Sequence, residues 1–388
     1  MALAVGDEVF AIFSANSFRF VPKTNENIGI EDNAVHVRLQ YIAEGNANVI
    51  FSVAVDSENE TSSEASFFEN KLLRVPKFPS GSTRTLSVQS AQDFKINETV
   101  NQELVIIEQI LLRHLHEHIN HTNNRPMRGG RSGSIWDPSL HPEAFINGIL
   151  VTDMRPKNSE GQVTLRFKPK WLTQSPNAPS KSRRCRTCAL QASQGSNKTT
   201  HHCPLALATG KREYVLQQLS AIIDAQVSTL SDALIFYREH FAQYFCDGTG
   251  HAMIRRLKSL QEQLDPFGIL KCVEQSTMNS HSFRQADISA LAKAMTFRDC
   301  SIYVRITPLK SLHELTGTND VRYEVRLGDL DEKLPENIDD VKAVHSKLNK
   351  WATAERKLIE EGYYFGTEKL ESGQERHKNC FLWNDPIT

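Results

Sequence analysis

No apolar run in this sequence reaches the ~18 residues that a membrane-crossing helix requires, so no transmembrane helix is expected. The amino terminus, MALAVGDEVF, lacks a charged segment followed by an apolar core, so no secretory signal is expected either. Cysteine is sparse and odd in number, seven in 388 residues, which excludes a disulfide scaffold and suits reduced thiols or a metal site. Glycine, proline and charge are unbiased enough to exclude collagen-like and low-complexity chains. These absences describe a soluble intracellular protein of the nucleus or cytoplasm. At this length a globular chain buries roughly 75% of its unfolded surface.

The most informative absence is local. Between Gly161 and Arg212 there are 52 residues and no Asp or Glu, while ten Lys and Arg fall in the same window. That window is +10 in a chain of net charge −1, which leaves −11 for the remainder. Cations packed together repel one another, so segregation on this scale points to an anionic partner.

Residues 35–55 alternate apolar and polar on both sides of AEGNAN, the pattern of a β-hairpin, and NKLLRVPK continues as a third strand. Strand, small-residue loop, strand and cation-bearing strand are how kinase-like N-lobes hold a nucleotide. Helical spacing predicts a long helix over 97–121. Residues 145–151 read as a strand crossing between lobes, and 163–167 as a short strand. Residues 175–210 look irregular. Helices are expected over 211–245, 252–264, 288–295 and 341–361, strands at CSIYVRIT and RYEVRLGDLD, and a polar tail at the end.

Five constellations carry chemistry. Gly45 with Asn46, Ala47 and Asn48 could cover phosphates or form an ordinary turn. In RFKPK (Arg166 to Lys170), Pro169 blocks helix, and an extended chain would aim Lys168 and Lys170 to one side. Asp299 before one strand, with Asp329 and Asp331 ending another, offers the carboxylates that phosphoryl transfer and Mg²⁺ binding need. Cys185 and Cys188, followed by His201, His202 and Cys203, have zinc-like spacing, with free loop thiols as the alternative. In HLHEHINH, His114, His118 and His121 share a helical face, which reads as a solvated or packed surface.

Taken in order, these segments resemble the inositol-pentakisphosphate 2-kinase family. AEGNAN is similar to its glycine loop and LLRVPK to its third strand. RFKPK is similar to its ExKPK motif, and RDCSIYV and GDLDEK to its KDCSIM and DLDLKP motifs. CRTCALQ and CPLALATG resemble the segments between, where animal members also carry cysteines. The resemblance implies an α+β, two-lobed fold distantly related to protein kinases. Its β-rich N-lobe would span 1–153, and a larger C-lobe with a helical inositol-binding region would span 154–388.

The implied activity is ATP-dependent phosphorylation of the 2-hydroxyl of inositol 1,3,4,5,6-pentakisphosphate, giving inositol hexakisphosphate. By motif, Gly45 to Asn48 and Arg74 would hold ATP phosphates, Asp153 would sit at the adenine hinge, and Arg166 would stand beside the nucleotide. Lys168 would contact the transferring phosphate. Arg125, Lys170, Arg186 and Lys333 would hold substrate phosphates, with Lys342, His345 and Lys347 as further candidates. Asp299 would be the catalytic aspartate, and Asp329 with Asp299 would hold Mg²⁺. Zinc is not placed uniformly in that family, so the expectation of a structural Zn²⁺ on Cys185, Cys188, His202 and Cys203 rests on their own spacing. Arg166 departs from the family's Glu, and Gln194 stands where plant members carry a substrate lysine.

The expected partners are the inositol pentakisphosphate and hexakisphosphate alone, for a monomer without nucleic acid or membrane. Two rivals remain at this point: a zinc-ordered nucleic-acid-binding protein, which the +10 window suits, and an inactive inositol-phosphate sensor.

Overall fold

The computed structural model describes residues 4–5, 8–15, 17–23, 34–44, 48–56, 65–77, 102–121, 138–140, 144–157, 160–195, 202–226, 231–278, 285–310, 320–330, 333, 341–369 and 380–384. The chain is mixed α+β and divides into two compact units. The described residues of the first lie within 1–83 and 100–154, and those of the second within 155–388.

The first unit is built on eight strands: β1 (Ala4–Val5), β2 (Glu8–Ser14), β3 (Arg19–Pro22), β4 (Ala34–Glu44), β5 (Asn48–Val55), β6 (Lys71–Pro76), β7 (Gln102–Glu108) and β8 (Phe145–Thr152). Their order is β1-β2-β3-β7-β8-β6-β5-β4, and β4 also pairs with β2, so the sheet closes on itself. Closure removes exposed strand edges. Inward residues of alternating strands, among them Phe13, Phe20, Val37, Leu39, Phe51, Val105 and Ile107, fill the interior. Among the described residues two helices accompany the sheet, α1 (Ala65–Phe68) and α2 (Gln109–His121).

The hairpin read from the sequence is β4–β5, in register from Val37↔Val55 to Glu44↔Val49. The long helix expected over 97–121 is corrected. Residues 102–108 are strand, and helix begins at Gln109. The run Leu104-Val105-Ile106-Ile107 is rich in β-branched residues and buries alternate positions, Val105 and Ile107, so period two prevails over helical spacing.

The second unit is mainly helical. It contains β9 (Val163–Phe167), α3 (Arg186–Ser193), α4 (Pro204–Ala208), α5 (Arg212–Gln226), α6 (Ser231–Cys246), α7 (Thr249–Leu264), α8 (Gly268–Met278), α9 (Gln285–Asp299), β10 (Ser301–Pro308), β11 (Val321–Gly328), α10 (Val341–Glu360) and α11 (Phe381–Asn384). The helices α3 and α4 correct the expectation of an irregular 175–210 segment. Both are short and capped by cysteines, Cys185 and Cys203, so their order comes from tertiary contacts rather than periodicity. The tail is corrected as well: Cys380 and Leu382 are buried. No helix among the described residues is long and apolar enough to cross a membrane.

Strands β9, β10 and β11 form an antiparallel sheet in the order β11-β10-β9. Ile302 pairs with Phe167 on one side and Leu327 on the other, and Ser301 pairs with Gly328. This register brings the end of β9, the start of β10 and the end of β11 to one edge. The residues just beyond that edge are Lys168, Asp299 and Asp329. Behind it, Leu165, Ile302, Val304 and Leu327 pack with Phe245, Ile254, Leu257 and Phe297 of the helices.

Candidate active site and cysteine cluster

Three ammonium groups gather on one carboxylate at that edge. Lys170 Nζ donates to Asp299 Oδ1 at 2.7 Å, Lys168 Nζ lies 3.3 Å from the same oxygen, and Lys333 Nζ lies 3.1 Å from Asp299 Oδ2. Lys168 also donates to the Asp299 backbone carbonyl at 2.6 Å and to Asp329 Oδ2 at 2.9 Å. The cluster therefore holds three cations against two carboxylates. Partial burial opposes ionisation of Asp299, but the hydrogen bond from Lys170 and the charges of Lys170, Lys333 and Lys168 outweigh it, so its carboxyl is held well below the usual range. Burial likewise works against the Lys168 charge, yet Asp329 and Asp299 overcome it and raise the ammonium above the ordinary lysine value.

The convergence of Lys168 and Lys170 does not come from an extended chain. Lys170 has φ +54°, and Asp329 has φ +58°. Such left-handed backbone costs a non-glycine residue of order 1–3 kcal/mol and concentrates at functional sites. The turn at Lys170 redirects the chain, and its long side chain then reaches back to Asp299.

Arg166 is exposed on β9, opposite Tyr303 in register, with its guanidinium 5.4 Å from that ring. On α10, burial and then the nearby charges of Lys350 and Lys333 lower the Lys347 pKa from its ordinary value, which marks a local surplus of positive charge that the sequence ranked only among several candidates.

Arg186, expected beside the substrate phosphates, is found in an ion pair. Its guanidinium donates through Nε to Glu355 Oε2 at 2.9 Å and lies 4.6 Å from the Trp171 ring, and both charged side chains are buried. The Glu355 partner is 169 residues away in sequence. The Trp171 ring also carries Arg298, whose guanidinium lies 3.5 Å from its centroid and is paired with Asp265 at 2.7 Å.

In the first unit, Arg74 is buried on β6 opposite Ile50 and Ile149, and Asn48 opens β5. Asp153 follows β8 and donates its backbone N–H to Asn70 O at 2.6 Å. Gly45, Asn46, Ala47, Arg125, His201 and Asp331 lie outside the described residues.

The cysteine cluster differs from the expected set in one member. Cys185, Cys188, Cys203 and Cys380 are all buried, with their sulfurs within 4.8 Å of one another. Cys185 and Cys188 Sγ are 3.2 Å apart and Cys203 and Cys380 Sγ 3.9 Å apart. Four thiolates around a tetrahedral zinc with Zn–S of about 2.3 Å would stand ~3.8 Å apart, so the set fits that ion. Burial raises the Cys185 and Cys188 thiols well above their usual value. Cys203, hydrogen-bonded by Cys185, Cys188 and Cys380, is held well below it.

His202 stands aside from this set. Its two ring nitrogens are shielded from solvent, its ring lies 6.0 Å from Phe167, and burial lowers its pKa to about 4. Cys380 takes the fourth place, brought from 177 residues away by the returning C-terminal segment, and no local spacing could have revealed it.

The profile of the family described as inositol-pentakisphosphate 2-kinase matches residues 41–347. A relative from Yarrowia lipolytica named inositol-pentakisphosphate 2-kinase is 27% identical over 255 residues, covering 61% of this chain and 68% of that protein. The matched span contains Lys168, Lys170, Asp299, Asp329 and Lys333, so the lysine-ringed carboxylate lies within it. With most of its length matched, the chain belongs to the inositol-pentakisphosphate 2-kinase family.

Proposed function

We propose that this kinase transfers the γ-phosphoryl group of ATP to the 2-hydroxyl of inositol 1,3,4,5,6-pentakisphosphate, giving inositol hexakisphosphate. The observation that carries the reading is Asp299 ringed by Lys168, Lys170 and Lys333, which arrive from two separate segments. Five phosphates carry about eight to ten negative charges at neutral pH, so they need cations from several directions. Lys170, Lys333 and Lys347 supply them here, with Arg125 as a further contact by family resemblance. When phosphates enter, the ammonium groups exchange the Asp299 carboxylate for phosphate oxygens, at roughly 1.5–3 kcal/mol per charge-assisted bond.

Asp299, released from its lysines, aligns the 2-hydroxyl and accepts its proton. Lys168, between Asp299 and Asp329, follows the transferring phosphoryl group. Because the transition state of such transfers is loose, positioning and charge neutralisation supply most of the rate enhancement. Asp329 and Asp299 offer the oxygen ligands that Mg²⁺ prefers, and Mg²⁺ held there would neutralise charge on the ATP β- and γ-phosphates. Gly45 to Asn48, Arg74, Asp153 and Arg166 are assigned to ATP by resemblance to the family motifs, in a kinase-like division into lobes over 1–153 and 154–388. We further assign a structural Zn²⁺ to Cys185, Cys188, Cys203 and Cys380, whose ordering energy would hold α3, α4 and the C-terminal segment together.

Incubation with Mg·ATP and the pentakisphosphate, followed by anion-exchange separation, tests the reading. A hexakisphosphate product is expected. Binding of the pentakisphosphate without ADP formation would instead identify a sensor, and absence of both would overturn the assignment.

A further inference from the structure

The turn that carries Lys170 is held by a side chain that no motif includes. Gln261 lies on α7, fully buried. Its Oε1 accepts the backbone N–H of Leu172 at 3.0 Å, and its Nε2 donates to the backbone carbonyl of Lys170 at 2.9 Å. The same Nε2 lies 3.5 Å from the carbonyl of Phe297, two residues before Asp299. One amide thus joins the strand exit bearing Lys168 and Lys170 to the helix end bearing Asp299.

The chemistry of this position asks for an amide. The neighbours of Gln261 on the inward face of α7, Met253, Ile254, Leu257 and Leu260, are apolar and buried in the core. A polar group placed there without partners would be costly. Lys170, in its left-handed conformation, lies beyond β9 outside regular secondary structure, and the Lys170 carbonyl and the Leu172 N–H beside it both find their partner in Gln261. A primary amide supplies the complementary acceptor and donor on a single planar group, and only one of its two orientations satisfies both. Lysine at a left-handed φ is unfavourable by itself, so the turn persists because its surroundings hold it.

We infer that Gln261 is a positioning residue for phosphoryl transfer: it sets the backbone of 168–172 against the end of α9 and so places the Lys170 ammonium beside Asp299. This rests on the site reading given under the proposed function. A displacement of about 1 Å in such a constellation costs on the order of 100-fold in rate, so losing this brace should appear in kinetics before it appears in folding.

Three variants of this chain test it against the pentakisphosphate. Gln261→Met keeps the length of the side chain and removes its hydrogen bonds. It should lower kcat/KM for the pentakisphosphate at least about tenfold while the KM for ATP stays within about twofold. Gln261→Glu keeps the shape, and its protonated form can still donate to Lys170 and accept from Leu172. Its activity relative to wild type should therefore rise as the pH is lowered. Tyr237→Phe removes a partly buried hydrogen bond from the Tyr237 hydroxyl to the Gly161 carbonyl at the edge of the same core and should lower the thermal midpoint without changing either kinetic constant.

A folded Gln261→Met variant with wild-type constants overturns the inference. So does failure of both Gln261 variants to fold under conditions where Tyr237→Phe folds, since the side chain would then serve the core alone. Absence of turnover in the wild type would strike the site reading instead, which keeps the two failures apart.

Discussion

Lys170 Nζ stands 2.7 Å from Asp299 Oδ1 across 129 residues of chain. The pair joins the residue of greatest backbone strain in the KPK segment to the carboxylate assigned as proton acceptor. It also shows that Asp299 has a second task before substrate arrives, which is to neutralise three ammonium groups that would otherwise repel one another.

Replacing Asp299 by Asn should therefore separate chemistry from binding. Loss of general-base assistance should lower kcat by at least about 100-fold. Lys170 and Lys333, no longer engaged by the Asp299 carboxylate, should bind the pentakisphosphate as tightly as in the wild type or more tightly, as read by titration calorimetry. Unchanged kcat would remove Asp299 from the chemical step.

The lysines should divide their effects. Lys170→Ala and Lys333→Ala should act mainly through the KM for the pentakisphosphate, and Lys168→Ala mainly through kcat, each lowering kcat/KM at least about tenfold. Wild-type constants in all three variants would place the substrate elsewhere.

Metal analysis of the purified protein should give one equivalent of zinc. Cys380→Ser should lose it and lower the thermal midpoint, because one thiolate of four is removed and the remaining buried thiols lose their common ion. His202→Phe should retain the metal. The reverse pattern would restore the ligand set read from local spacing.

His240 makes part of the stability depend on pH. It is buried, with Nδ1 2.9 Å from the Tyr323 hydroxyl and its ring 4.1 Å from that of Phe236, tilted by 52°. Burial lowers its pKa below the ordinary 6.5 against the opposing pull of Asp320. The fold thus favours the neutral ring, so its contribution is complete above about pH 6.5 and is lost as the pH falls below that value. The urea midpoint of the wild type should fall between pH 7.5 and 5.5, values chosen to bracket the ordinary His titration at about 6.5. His240→Phe should flatten that fall, and equal slopes for the two proteins would exclude the ring as the cause.

Much of the second unit's site was legible in residues alone. RFKPK, RDCS and GDLDEK announce strand ends bearing opposite charges, and antiparallel pairing of β9, β10 and β11 does place those ends together. The strand over 102–108 was misread because β-branched residues also fit a helical spacing when no partner strand is known. The helices α3 and α4 were invisible because their order comes from buried cysteines and long-range contacts, not from an amphipathic repeat. The pairing of Arg186 with Glu355 was likewise out of reach of local spacing, because the two lie 169 residues apart.

Local sequence determined which residue types were available and where the strands end, since alternation, turn residues and charge segregation act over a few positions. Tertiary structure decided what those residues meet. It chose Cys380 over His202, enclosed Arg186 against Glu355, closed the strands of the first unit by joining β4 to β2, and set Gln261 beneath the Lys170 turn. Each of these outcomes is a contact between segments tens to hundreds of residues apart, whose formation depends on the packing of the whole core rather than on the preference of any one segment.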